Sequence, residues 1–294
     1  EAIEYAITGN ALLFCGSGFS VGAVGINEKG LPTGNGLCNI LKTRLNVEEI
    51  ESDDDIEYYA TKFRKQFGDN ELIRLLKSNF MVGKYKEYHK TVSNIDWRRI
   101  YTTNYDEIIE MSCDKYKRIT ATLSSDPRKN TTHKELVVHL NGSIGNLTPE
   151  KLDNEFKLTM SSYSSTEFIE SDWYEIFKND IESVKAIFFV GFSLKYDLDI
   201  RRAITSRKGI RDKCFFIESN NISAKNEDIL SNFGKVIKIG VSGFADKISE
   251  VEHSYVIPEG YKEPLYAFYE FSKDEPQYRR VQDKDITNLL FRGE

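Results

Sequence analysis

Four times along this chain a short run of β-branched, aromatic and apolar residues stops abruptly in small polar ones. Ala11–Cys15 runs into Gly-Ser-Gly-Phe-Ser, Trp97–Tyr101 into Thr-Thr-Asn-Tyr-Asp, Glu135–Leu140 into Asn-Gly-Ser, and Ala186–Val190 into Gly-Phe-Ser. Runs this short read as strands, and the stretches between them have room for helices, which predicts parallel strands joined by crossovers. Two further runs, "CFFIES" and "KVIKIG", extend the series. The expected fold is α/β: a doubly wound, mainly parallel Rossmann-like sheet of about six strands. In such a sheet the carboxyl ends of the strands open into the ligand crevice, so the polar residues there are the first candidates for function.

The remaining chain is read around that sheet. Ser52 onward reads "SDDDIEYYATKFRKQF", with Ile56, Tyr59, Ala60, Phe63 and Phe67 at helical spacing behind acidic residues. That is an amphipathic helix, and helix-start chemistry accounts for the acidic cluster "EEIESDDD" without a metal. Residues 43–95 are expected to form a mainly helical insertion, and 146–183, ending in the amphipathic "DWYEIFKNDIESV", a second; together they are expected to make a smaller helical layer over the sheet. Residues 1–250 would be the nucleotide-binding domain, and 251–294, rich in proline and aromatic residues, an extended arm or a linker towards a further module. The start at Glu1 and the end after "NLLFRGE" suggest part of a longer protein.

Composition narrows the function classes. A net charge of -6, from 40 basic and 46 acidic residues, argues against a surface that attracts a polyanion as a whole, and "RRAITSRKGIR" reads as a solvated helix face. No apolar run has the roughly 20 residues of a membrane helix and no signal peptide opens the chain, so a cytoplasmic protein without a membrane is expected. The four cysteines, Cys15, Cys38, Cys113 and Cys214, lie far apart, which excludes the paired spacing of structural zinc.

The first glycine-rich turn fits neither common phosphate-binding fingerprint. A P-loop needs a lysine and a serine or threonine after its last glycine. The dehydrogenase fingerprint needs glycine at a spacing that Gly16 and Gly18 begin but Val21 breaks, with Gly22 one place late. Alone, the turn is equally well a structural strand-to-helix turn. Asn104 and Asp106 alone read more readily as caps for the helix "YDEIIEMSC", and Ser193 can be read as only a turn residue.

Taken in order, these segments resemble the sirtuin family. Gly16-Ser17-Gly18-Phe19-Ser20 stands where that family has its Gly-Ala-Gly-x-Ser turn, Thr102-Thr103-Asn104-Tyr105-Asp106 looks like its Thr-Gln-Asn-x-Asp motif, and Gly191-Phe192-Ser193-Leu194 is similar to its Gly-Thr-Ser-Leu. Glu218 sits where a strand end meets the adenosine ribose, and Leu31-Pro32-Thr33 fits the segment that commonly follows the first turn. Because sirtuin deacetylases carry zinc-binding cysteine pairs and this chain does not, the similar group is the zinc-free, sirtuin-like domains of bacterial antiphage defence proteins. These hydrolyse NAD+ to nicotinamide and ADP-ribose and usually act within a homo-oligomer or a larger defence assembly, here with a further module of the chain or a helicase or Argonaute-type partner.

The resemblance implies roles. NAD+ is the substrate, and no metal is required. Asn104 fixes the ribose and the attacking water, and Asp106 orients its loop. The turn of Gly16, Ser17, Gly18, Phe19 and Ser20 holds the phosphates, with Thr102 beside it; Gly191, Ser193 and Asp197 close the crevice, and Glu218 takes ribose hydroxyls or stays solvated. The family's general base is a histidine directly before the Gly-Ser of the third strand end, where this chain has Asn141. His139 stands two residues earlier, on the same face and roughly 7 Å away, either acting through a water or as an ordinary half-buried histidine. The alternative is an NAD+ or ADP-ribose binding sensor, or an assembly module, without hydrolysis.

Overall fold

The computed structural model describes residues 1–47, 56–115, 117–128, 135–159, 167–194, 198–205, 209–255 and 267. After a short helix, α1 (Ala2–Ile7), the strand β1 (Ala11–Cys15) enters the centre of the molecule. A small hairpin partner, β2 (Val24–Gly25), and three helices, α2 (Gly34–Arg44), α3 (Ile56–Phe67) and α4 (Asp69–Phe80), precede β3 (Val82–Lys84) and α5 (Glu87–Ser93). The chain then forms β4 (Arg99–Thr102), α6 (Ile108–Ser112), β5 (Ile119–Thr122), β6 (Leu136–His139), β7 (Ala186–Val190), β8 (Cys214–Glu218) and β9 (Lys235–Lys238).

Seven of these strands make one parallel sheet in the order β5-β6-β4-β1-β7-β8-β9, and β2 pairs antiparallel with β3. The fold is therefore the expected Rossmann-like α/β sheet, with one strand more than the apolar runs announced. The additional strand, β5, reads Ile-Thr-Ala-Thr and occupies an edge, where its first two residues are not buried, so it needs no apolar run.

Both faces of the sheet are covered. Leu12, Phe14, Tyr101, Val138 and Phe189 belong to one core, while Leu13, Cys15, Ile100, Val137 and Phe188 belong to the other, the alternation a pleated strand imposes. Every residue of β1, β4, β6 and β7 is buried. A third core joins Leu37, Tyr59, Phe63, Leu72 and Phe80 of the helical insertion to Tyr105, Ile144, Leu152 and Phe156. Residues 144–158 thus join that layer, but the helix Asp172–Ser183 does not: its Trp173, Phe177 and Ile181 pack on the sheet. The second insertion divides between two layers because its amphipathic helix finds a larger apolar face on the sheet.

Glu1–Ser249 forms one compact unit and Glu250–Glu294 a second. Most of the arm expected over 251–294, and the acidic cluster of residues 48–55, fall outside the described residues. Among the described residues no helix is long and apolar enough to cross a membrane.

Chain order reverses direction between β1 and β7: from β1 the chain builds outward through β4, then returns to β7 on the other side. The loops after these two strands touch. Gly18 N donates to Gly191 O at 2.9 Å, and Gly191, at φ +57°, lies so close that a Cβ on it would stand 2.4 Å from the Gly18 backbone. Gly191→Ala should therefore lower stability by about 2–5 kcal/mol through combined backbone strain and overlap, read from the midpoint of urea denaturation.

Candidate functional site

The loops at the ends of β1, β4 and β6 interlock through buried polar groups. Thr102 Oγ1 donates to Cys15 O at 3.1 Å and accepts from Asn104 N at 3.0 Å, which sets the bend that leads out of β4. Asn104, 6% exposed, then points its amide nitrogen back at the first loop, donating to Gly16 O at 2.9 Å and Ser20 Oγ at 3.0 Å. Ser20 in turn donates to Asp106 Oδ2 at 2.8 Å, and Asp106 Oδ1 accepts from Ile108 N at 3.3 Å. With both amide hydrogens directed inward, the polar atom that Asn104 keeps for a ligand is Oδ1, an acceptor.

The third loop is fastened onto the second. Leu140 N donates to Thr102 O, Ile144 N to Tyr105 O, and Asn141 Nδ2 to Thr103 O at 3.4 Å, while Ser143 Oγ donates to Glu107 Oε1 at 2.5 Å. Asn141 is only partly buried and Ser17 is exposed, as is Ser193. Asp197 lies outside the described residues.

Several expected ligand contacts have other work. Phe19 has no exposure; it packs in the core, edge-on to His89 with ring centroids 5.3 Å apart. Thr102 is fully buried and Ser20 4% exposed, so both hydroxyls serve the loop-to-loop network rather than a phosphate. The amides of Gly16, Gly18, Phe19, Ser20 and Val21 donate to protein carbonyls. Gly16 is required for packing: a Cβ there would lie 2.5 Å from Gly191 O. Asp106 accepts from Ser20 across the loops and from Ile108 N two residues on, a local turn bond ahead of α6, whose N-cap position is Glu107.

His139 is corrected in the same way. It has no exposure, its Nδ1 lies 2.9 Å from Asn104 O, and its Nε2 lies 2.9 Å from Glu110 Oε1, which also accepts from Thr120 Oγ1 at 2.8 Å. The Asn104 carbonyl can only accept, so Nδ1 donates to it, and a carboxylate at Nε2 favours a second ring proton there. Burial lowers its pKa, but the Glu110 carboxylate and the Asn104 carbonyl together outweigh burial and the net direction is upward. With no solvent exposure and both nitrogens bonded inside the protein, the ring does not face water directly.

Three residues at the site escaped the sequence reading. Glu110 is the partner of His139; its one signal is an acid within the apolar run Ile-Ile-Glu-Met. Glu107 holds Ser143, with no local signal. His89, fully buried on α5, supports the first loop: its Nδ1 accepts from Lys86 N and its Nε2 donates to Phe19 O at 2.9 Å, and burial pushes its pKa down to about 4, so it is neutral.

Two carboxylates are displaced upward. Burial holds Asp106 at about 6 against the opposing hydrogen bonds from Ser20 and Ile108. Burial also raises Glu218, at the end of β8, to about 7, although the Phe192 backbone bonds it, and its Oε1 is buried without a partner. An acceptor left in that condition matches a hydroxyl donor from a ligand. Among the described residues no group of three or more His, Cys, Asp or Glu is arranged to hold a metal ion.

Residues 98–234 match the family described as SIR2-like domain. The NAD(+) hydrolase ThsA of Cytobacillus dafuensis is 27% identical over 232 residues, which is 72% of this chain and 42% of that protein, so the chain spans less than half the length of that relative. A solved structure from work on the mechanism and regulation of Sir2 enzymes matches 85% of this chain and 94% of its own, at 14% identity and a TM-score of 0.45.

The raised Asp106 value carries a pH dependence. Its folded pKa of about 6 lies above the unfolded value of about 3.9, so its contribution to stability is complete below pH 4 and is lost as pH rises through 6. Compared with Asp106→Asn, the wild type should lose on the order of 3 kcal/mol between pH 4 and 7. Denaturant midpoints of both proteins across that range check it.

Proposed function

We propose, from the SIR2-like domain that residues 98–234 carry, that the chain is an NAD+ glycohydrolase that releases nicotinamide and ADP-ribose. The observation that carries this reading is Asn104: a buried amide, fixed through its nitrogen by Gly16 and Ser20, with its oxygen left as an acceptor at the switch point of the sheet. The likeness to the hydrolase ThsA supports the same reaction. In the reaction, water oxygen forms a bond to the ribose carbon, the bond from that carbon to the nicotinamide nitrogen breaks with its electron pair going to nicotinamide, and one proton leaves to solvent.

The residues fit that chemistry. The leaving group departs neutral and the ribose becomes oxocarbenium-like, so the reaction needs geometry and charge stabilisation more than a strong base. Asn104 Oδ1 would accept a ribose hydroxyl or the attacking water and hold it in line, which can supply a large share of the barrier. Glu218 would accept an adenosine-ribose hydroxyl on its unpartnered oxygen, and Ser17 and Ser193, both exposed beside the paired glycine loops, would face the phosphates. By its resemblance, the domain would act as the effector of a bacterial antiphage defence system, depleting NAD+ within a homo-oligomer or larger assembly.

A second reading is favoured by one observation. Asn141 stands where the resemblance implies a base, and the nearby His139 has both nitrogens bonded inside the protein. The chain would then bind NAD+ or ADP-ribose as a sensor.

Incubation with NAD+ and chromatographic detection of nicotinamide tests the two together. Asn104→Ala should lose at least about 100-fold in turnover with the circular dichroism spectrum retained. Unchanged turnover in that variant would remove the hydrolase reading, and saturable binding without release would support the sensor. Glu218→Ala should raise KM for NAD+ about tenfold with kcat nearly unchanged, the cost of one lost hydrogen bond to the ligand.

A further inference from the structure

The buried pair behind the site has no part in the reaction as written, yet the fold maintains it with Glu110 Oε2 buried and unpartnered. Replacing a buried ion pair by apolar residues is often neutral or stabilising, so stability alone does not account for it; the best attested use of such pairs is to fix one geometry. The geometry here is that of Asn104. Its side-chain nitrogen is held by Gly16 O and Ser20 Oγ on the loop after β1, and its backbone oxygen by His139 Nδ1 on β6. His139 is in turn held by Glu110 on α6, itself anchored by Thr120 on β5.

We propose that Glu110 and His139 are positioning residues for Asn104: the pair clamps the backbone carbonyl while the first loop clamps the side-chain amide, so that Oδ1 faces the crevice in one orientation. The charged and titratable groups facing the ring are Glu110 from α6 and Asp106 from the loop after β4, both acids that favour the imidazolium. Glu110 makes the ring a double donor and sets its orientation, and the ring passes that orientation to Asn104. The kinetic part of this inference rests on the hydrolase reading above, whereas the structural part does not.

The test uses the chain and three variants, Glu110→Gln, His139→Gln and His139→Leu. Ring 15N NMR of the wild type at pH 7 should show both His139 nitrogens protonated, and Glu110→Gln should remove one proton. In the kinetic arm, His139→Gln retains a donor for Asn104 O and should keep turnover well above that of His139→Leu, which should fall about 100-fold, with NAD+ affinity by calorimetry within about twofold in both. The side-chain amide resonances of Asn104 should stay near their wild-type positions in His139→Gln and move in His139→Leu. A neutral wild-type ring, equal turnover in the two His139 variants, or affinity falling in step with turnover would overturn the proposal. If the wild type releases no nicotinamide, the hydrolase reading falls, and the ring and Asn104 resonances decide the positioning proposal without it. If a His139 variant does not fold, the wild-type ring measurement and Glu110→Gln still decide it.

Discussion

Everything at the open end of this sheet depends on how closely two backbones approach between β1 and β7. A Cβ at Gly18 would lie 2.6 Å from Gly191 Cα, and one at Gly16 would lie 2.5 Å from Gly191 O. Glycine at these positions is therefore a packing requirement first, whatever a ligand later demands. The close approach brings the Gly16 carbonyl and the Ser20 hydroxyl within reach of Asn104. Displacing the first loop by even an ångström would break both bonds and free the one side chain whose orientation the site most needs. A parallel sheet makes this coupling natural, because all its strands end at the same edge and their loops must satisfy one another's polar groups.

Two buried histidines show how partner chemistry acts together with burial on protonation. Both are fully enclosed. His89 faces one donor, Lys86 N, and one acceptor, Phe19 O, so a single ring proton satisfies it and burial keeps it neutral. His139 faces the Asn104 carbonyl and the Glu110 carboxyl group, and these partners raise its pKa against the opposing effect of burial. Neutral His89 can be spent on shaping the outer shoulder of the first loop without adding charge. The Glu110 side chain, at 2.9 Å from Nε2, is the partner that offsets the cost of burying charge on the His139 ring.

The sequence made the sheet and its polar edge legible because buried parallel strands are near-continuous apolar runs, and the polar residues that follow mark their carboxyl ends. It was silent on β5, whose edge position tolerates Ile-Thr-Ala-Thr. Within the site, Asn104 and Asp106 could be identified as members of one motif, but the direction of each side chain past a strand end is set by turn geometry and not by a period of two. That is why Phe19, Ser20 and Thr102 read as ligand contacts while the fold turns them inward. It is also why Glu110 went unread: nothing local marks an acid in a short helix as the partner of a histidine on a strand distant in sequence.

Glu218 presents the opposite case, a side chain whose position was legible and whose condition was not. Burial raises it to about 7, and Oε1 is buried without a partner, so near neutral pH the carboxylate is maintained at a cost. A hydroxyl donated to that oxygen favours the charged form, which lowers the pKa and releases a proton on binding. If the proposed nucleotide binds through Glu218, that binding is linked to pH with a definite sign: affinity would strengthen as pH rises towards 7, where the carboxylate no longer has to lose a proton to accept the bond. The unpartnered acceptor at the end of β8 and the amide nitrogen at the end of β4, already bonded on both hydrogens, thus stand in opposite conditions: under the proposed reading the first would gain most from a ligand, whereas the second is arranged beforehand.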